Sequence, residues 1–296
     1  MADTTNTGGR SGFKLDIQAL GPILALIVLV VIGTALNPDF LAAQNITNVL
    51  SRSSFIGIMA VGMTFVITAG GFDLSVGSMT AFIAGIMIMI MNALIPSMGT
   101  TWGVIMIGMG AGLVMGALLG AVNGLLITRL NIEAFIVTLG SMVIFRSLVT
   151  WLADGGTLSL NFSLGSLYEP VYYGGLFGIR WPIIVFAVVA ILGEIAMRPT
   201  AYGRHCTANG SNEQVARYSA VHVARVRTMT FVVLGFLVGV ASVLYVPRLC
   251  SASNTTGLLW ELETIASVII GGTLHTGGFG RVRGTVVGVL ILSLIY

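Results

Sequence analysis

Apolar runs alternate with short polar breaks from residue 20 to the end of the chain. A helix that crosses a bilayer needs about 20 mostly apolar residues, because each adds about 1.5 Å. Runs of this kind cover residues 20–36, 54–69, 79–95, 103–127, 132–152, 181–197, 229–247, 261–274 and 284–296. They predict an all-α fold: a polytopic transmembrane helical bundle of about nine or ten membrane segments. It forms a single domain over 20–296 behind a polar tail, 1–19. The eighth run is short and ends in Gly271-Gly272, so broken or re-entrant helices are expected there. The ninth stops with the chain at Tyr296 and is expected to be cut short.

Two breaks are long. Residues 153–180 are Gly-rich and carry Tyr168, Tyr172 and Tyr173 ahead of Trp181, types suited to a membrane–water boundary. Residues 198–228 are polar and hold five arginines. Within Ser211 to Arg227, helical spacing puts Val215, Ser219 and His222 near one face and Glu213 and Arg217 at i,i+4. A short helix on the cytoplasmic surface is predicted.

Composition narrows the class. Only 8% of the 296 residues are charged and 56% are hydrophobic, whereas soluble domains carry about 25% charge. So few charges cannot solvate a water-soluble surface. The 39 glycines fit closely approaching membrane helices. The net charge of +3 would suit nucleic acid in a soluble protein. Here the basic residues lie between apolar runs, so they report topology and no nucleic-acid partner is expected.

Cytoplasmic loops are enriched in Lys and Arg. With the N-terminus inside, the inside segments hold Arg10, Lys14, Arg129, Arg198, Arg204, Arg217, Arg225, Arg227, Arg281 and Arg283; the outside ones hold Arg52, Arg180 and Arg248. Arg146 falls within a span. The bias of ten against three sets a cytoplasmic N-terminus. The first run exceeds the apolar core of a signal peptide, about 7–15 residues. Leu41-Ala42-Ala43-Gln44 offers a large Leu where cleavage needs a small residue, so the run reads as a retained span. This topology puts Cys206 and Cys250 on opposite sides, so no disulfide is expected.

Three segments could carry chemistry. Gly70-Gly71-Phe72-Asp73-Leu74-Ser75-Val76-Gly77-Ser78 interrupts apolar sequence with paired glycines, one carboxylate and two hydroxyls. It reads equally as a pathway or pivot at membrane depth, or as a turn in which Asp73 caps the next helix. Residues 198–228 read as a docking helix for a cytoplasmic partner or as a solvated basic loop; the ordered run from Ala208 to Arg217 favours docking. In Glu261 to Thr273, Glu263 could line a polar cavity or cap the span. Glu261 is expected at the outer rim, and Gly271-Gly272 suggests a break between half-helices. No G-x-x-x-x-G-K-[ST] phosphate loop occurs, so ATP cannot bind by that route. His205, His222 and His275 are scattered, which argues against a metal site, and no nucleophile–base arrangement assembles.

The run from Val61 to Ser78, the block Ala134-Phe135-Ile136-Val137-Thr138-Leu139-Gly140, the loop from Thr200 to Arg217, and Arg248-Leu249 with Glu261 to Thr273 occur in order. Together they resemble the sugar-type ABC importer permeases, the family of ribose, xylose, arabinose and galactose permeases. The resemblance implies a transport subunit without its own ATPase site or cofactor, in a bacterial inner membrane. It implies a second permease copy (the same or different), a cytoplasmic ATPase binding ATP and Mg, and a periplasmic sugar-binding protein. Gly203, Gly210, Asn212, Glu213, Ala216 and Arg217 would belong to the ATPase-coupling loop. Gly70, Gly71, Asp73, Ser75, Glu263, Gly271 and Gly272 would mark the translocation pathway or its helix breaks. Phe72, Asn131-Ile132-Glu133, His205, Cys206 and Tyr218 depart from the family's usual residues, as does the missing polar tail after Tyr296. An ion-coupled sugar carrier using Asp73 and Glu263 is the alternative, and a branched-chain amino acid permease is another.

Overall fold

A computed structural model describes residues 17–295, with side chains from Gly21 onward. Arg10, Lys14, the tail and Tyr296 therefore lie outside the described residues. Among the described residues, five helices are long and apolar enough to cross a bilayer: α2 (Ala43–Thr68), α3 (Val76–Met98), α4 (Trp102–Arg129), α5 (Ala134–Leu152) and α11 (Val223–Leu249). Two shorter apolar helices flank the chain, α1 (Ile17–Leu36) and α13 (Val282–Ile295). α8 (Trp181–Met197) meets the same test only together with α9 (Ala201–Ser211), across a 70° bend.

α2 begins eleven residues before the run at 54–69, at Ala43. Its polar outer part escapes a hydropathy reading because it faces protein. Ser51, Ser53 and Ser54 are buried and return their hydroxyls to backbone carbonyls three or four residues earlier. α2 runs through the middle of the bundle and supplies much of the core.

Among the described residues, the most extensive helix pair is α4 against α11. Gly112, Gly116, Gly120 and Gly124 recur every four residues and share one face of α4. Gly116, Gly120 and Gly124 lie directly on the backbone of Thr228, Phe231, Gly235 and Gly239, while Gly112 sets its carbonyl against Gly239 and its open side against Met87 of α3. Thr128 and Thr228 close one end of this seam, hydroxyl to hydroxyl at 2.9 Å. Small residues let membrane helices approach until backbones touch, and dispersion then supplies the attraction that water would supply elsewhere.

The segment 153–180 folds as strand β1 (Thr157–Ser159), helices α6 (Phe162–Tyr168) and α7 (Pro170–Tyr173), and a hairpin of β2 (Gly175–Leu176) with β3 (Ile179–Arg180). β1 pairs antiparallel with β4 (Ser251–Ser253), Leu158 opposite Ala252. Tyr168 is fully buried, and its hydroxyl donates to the Val243 carbonyl at 2.7 Å. It is a core anchor and not the boundary residue its composition suggested. Tyr173 and Trp181 are exposed.

The stretch 198–228 also differs from expectation. α9 ends at Ser211, α10 covers only Glu213–Tyr218, and Ala220 takes a left-handed φ of 60°. His222 sits at the N-cap of α11, to which Val223–Arg227 belong. Val215, Ser219 and His222 therefore do not share a helix face. Cys206 lies buried in α9, Cys250 follows the far end of α11, and both thiols are free.

Candidate translocation and coupling sites

Asp73 is fully buried in the turn between α2 and α3. Its Oδ1 accepts from the Ser75 amide at 2.7 Å and the Ser75 hydroxyl at 2.6 Å. Asn123 of α4 donates to Asp73 Oδ2 at 3.5 Å and to Ser75 Oγ at 3.1 Å, and accepts from Ser141 of α5 at 2.6 Å. One carboxylate thus ties the start of α3 to two neighbouring helices, and a buried network of this kind is specific when every member is satisfied. Of the two readings of the 70–78 segment, this geometry matches the turn.

The C-terminal end of α2 meets α9, the start of α11 and the turn before α13. Gly70 takes φ +83°, and its carbonyl accepts from Arg227 at 3.3 Å. Asn209 of α9 donates to the Ala69 carbonyl at 3.0 Å, and the Gly278 amide donates to the Thr68 carbonyl at 2.9 Å. Gly210 lies between Thr68 and Gly278, so near both that a methyl group at Gly210 would overlap their backbones. Ala216 is buried, Asn212 caps α10 by accepting from the Val215 amide, and Gly203 packs on the last turn of α8. Glu213 pairs with Arg217 at 2.6 Å, as the i,i+4 spacing predicts, and with Arg227 at 3.6 Å. The structure brings Gly70, Gly210 and Glu213 together and adds Thr68, Asn209, Arg227 and Gly278, which sequence reasoning missed. Val215 and Tyr218 project outward, Tyr218 at 90% exposure.

At the other end of the chain α12 is only eleven residues long, Trp260–Ile270. Before it, the irregular segment 254–259 folds back into the bundle. Gly257, at φ +64°, packs on the backbone of Gly77 in the first turn of α3. Arg146 of α5 donates to the carbonyls of Asn254 and Thr256 at 2.7 and 2.5 Å. Arg146 is thus a staple for irregular backbone, which tolerates membrane depth only when buried in protein or lining a cavity. Glu261 is not at the outer rim: it is 7% exposed, beside Gly77. After α12, Gly271 packs against Gly284 of α13, Gly272 takes φ +88°, and the chain turns through residues 274–281. The expected break at Gly271-Gly272 is present.

Glu263 lines a cavity of about 280 Å³ with Arg52, Tyr245, Arg248 and Trp260. A neighbouring cavity of about 610 Å³ shares Arg52, Arg248 and Ser293 and adds Tyr172, Tyr173 and Arg180. All three arginines assigned to the outer side meet here, against a cluster in which Phe55 stacks on Trp260 and on Tyr172. Arg248 lies over the Phe55 and Tyr172 rings at 6.0 and 5.9 Å. The sequence signal was available: these three are the basic residues that the topology assigns to the outside. Their convergence needed the fold. No group of three or more His, Cys, Asp or Glu that could hold a metal occurs among the described residues.

A helical membrane bundle with short, interrupted helices, a polar cavity toward one end and the α9–α10 helix pair wedged against the end of α2 is the architecture of a transport permease. Residues 45–296 match the family described as "Branched-chain amino acid transport system / permease component", and the chain belongs to that family. It is similar to the ribose import permease protein of Bacillus subtilis, 38% identical over 296 residues, covering 97% of this chain and 86% of the relative. It is also similar to the fructose import permease protein of Bifidobacterium longum, 32% identical with 97% and 85% covered. The xylose transport system permease protein of Escherichia coli is 29% identical, with 97% and 86% covered.

Proposed function

We infer that this chain is the membrane subunit of an ATP-driven importer for a monosaccharide or small polyol, working by alternating access. The relatives named for ribose, fructose and xylose support the substrate class. They favour it over branched-chain amino acids, although the family's description carries that name. The chain sits as a multi-pass protein in a bacterial inner membrane, N-terminus inside, and pairs with a second permease copy. A separate cytoplasmic ATPase binds ATP and Mg, and a periplasmic binding protein delivers the sugar. This subunit catalyses no reaction and carries no cofactor. The nine sequence runs serve as its membrane segments, with α12 as a half-length one.

The observation that carries the reading is the contact of Gly210 with Thr68 and Gly278. It joins α9 and α10 directly to the inner end of α2 and to the turn that leads from α12 into α13. A partner that seats on Val215, Arg217 and Tyr218 can therefore move both elements at once. Glu213, through Arg227, fixes α10 to α11. Asp73 is committed to Ser75 and Asn123, which counts against its use as an ion-coupling site.

The test is ATP hydrolysis by the reconstituted complex with its ATPase and binding protein. Sugar-loaded binding protein should stimulate hydrolysis. Gly210→Ala and Glu213→Gln should abolish the stimulation while the ATPase stays bound. If this chain never associates with an ATPase, yet carries sugar down an ion gradient, the reading is wrong.

A further inference from the structure

We propose that the cavity between Arg52, Arg248, Trp260 and Glu263 is a binding site for a neutral monosaccharide within the permease itself, and that Arg52 and Glu263 determine which sugar it accepts. The proposal rests on the importer reading and deepens it, because it gives the membrane subunit a selectivity of its own.

Four observations carry it. First, the side chains of Arg52, Arg248 and Glu263 make no hydrogen bond or ion pair with any other described residue, although all line one cavity. Charges at the edge of a membrane protein usually find partners or mark a pathway. Here a guanidinium fork and a carboxylate, with the Tyr245 hydroxyl nearby, are left with donors and acceptors to spend. Sugar hydroxyls are both donors and acceptors and can use that mixture.

Second, the size fits. A pentose or hexose takes the place of roughly five or six waters, about 150–180 Å³ at about 30 Å³ each, and the cavity offers about 280 Å³. An oligosaccharide does not fit; one ring with a few waters does. Third, Trp260 borders the cavity with its ring held by Phe55 at 5.9 Å and by Tyr245 edge-on at 5.4 Å. A fixed indole gives the apolar face of a sugar ring a surface to lie on at little entropic cost. Fourth, Gly257 and Leu258 of the re-entrant segment complete the wall, so irregular backbone borders this space, as it does where membrane proteins build pathways. The larger neighbouring cavity, sharing Arg52 and Arg248, forms the antechamber.

Arg52 and Arg248 against Glu263 leave the lining with a net charge of +1, so the neutral class rests on the importer reading, and ribose 5-phosphate is the arm that tests it. The experiment is equilibrium binding of radiolabelled D-ribose, D-xylose, D-fructose and ribose 5-phosphate to the permease–ATPase complex in nanodiscs, without binding protein or nucleotide. Saturable binding of a neutral sugar is expected, weakened at least tenfold by Arg52→Gln and by Glu263→Gln, and unchanged by Arg129→Gln at the inner end of α4. Glu263→Gln should also change the ratio of transport rates for two sugars carried by the same binding protein. Should Arg52→Gln not assemble, Arg52→Lys keeps the charge and loses the planar fork, with the same expected loss. A complex that transports sugar yet shows no saturable binding, or binding indifferent to both substitutions, overturns the site and leaves the importer reading standing. Preference for ribose 5-phosphate overturns the neutral class. A complex that transports no sugar overturns both readings.

Discussion

Gly120→Ala adds one methyl group where α4 meets α11. That carbon would overlap the Phe231 carbonyl oxygen and lie 3.0 Å from its carbon and 3.1 Å from Gly235 Cα. Non-bonded carbons rest at about 3.5–4.0 Å, so the helices must part by roughly 0.5–1 Å. Backbone cannot rotate away as a side chain can. Overpacking of this kind costs about 1–3 kcal/mol, and the parted seam gives up part of its dispersion on either side. Ala gains up to about 1 kcal/mol over Gly inside a helix. Gly110→Ala, one helix face away with nothing within 4 Å of the added carbon, collects that gain alone. The net expectation is about 1–2 kcal/mol of destabilisation for Gly120→Ala and none, or a slight gain, for Gly110→Ala. Unfolding of the purified protein in mixed micelles, titrated with dodecyl sulfate, reads both. Equal midpoints for the two variants would refute backbone contact at this seam.

Other consequences are open to measurement. Asp73→Ala removes the acceptor shared by the Ser75 amide and hydroxyl, and should cost about 1–3 kcal/mol in the same unfolding assay; unchanged stability with lost transport would restore a pathway role for the carboxylate. Burial pushes the Cys206 thiol up to about 12. At pH 9 about one molecule in a thousand then carries thiolate, against most for an ordinary thiol near 8.5. A protein with Cys250 replaced by Ser should therefore resist iodoacetamide at pH 9 until denatured, and prompt labelling in the native state would contradict the burial. Tyr218→Asp places a charge on the exposed face of α10 and should weaken co-purification of the ATPase at least tenfold; full retention would move the docking surface elsewhere.

Much of the bundle was legible because lipid imposes hydropathy directly. α3, α4, α5, α8 and α13 begin and end within about three residues of their apolar runs, since their faces meet hydrocarbon or tightly packed apolar neighbours. α2 was half hidden because a polar helix turned toward protein looks like a loop. Glu261 looked like a rim residue because an apolar run gives length without depth; only the fold-back at Gly257 shows that its helix starts inside the bundle. The 70–78 segment allowed two readings, and the partner that decided between them, Asn123, lies fifty residues away. Glu213 and Arg217 were legible as a pair because helix spacing is local, whereas Arg227 joins them from another helix.

The glycines of α4 stand four residues apart, and so do Gly235 and Gly239 on α11. Four residues of helix rise about 6 Å. A slide of that length would set each glycine opposite the next, whereas a slide of half that length would leave the glycines of the two helices out of step. The seam therefore behaves like a rack with detents: it holds its register, or it jumps by a whole tooth. Small, graded motion during transport has to be carried by the glycine-bounded turns around Gly70, Gly257 and Gly272, leaving α4 and α11 as the frame on which they hinge.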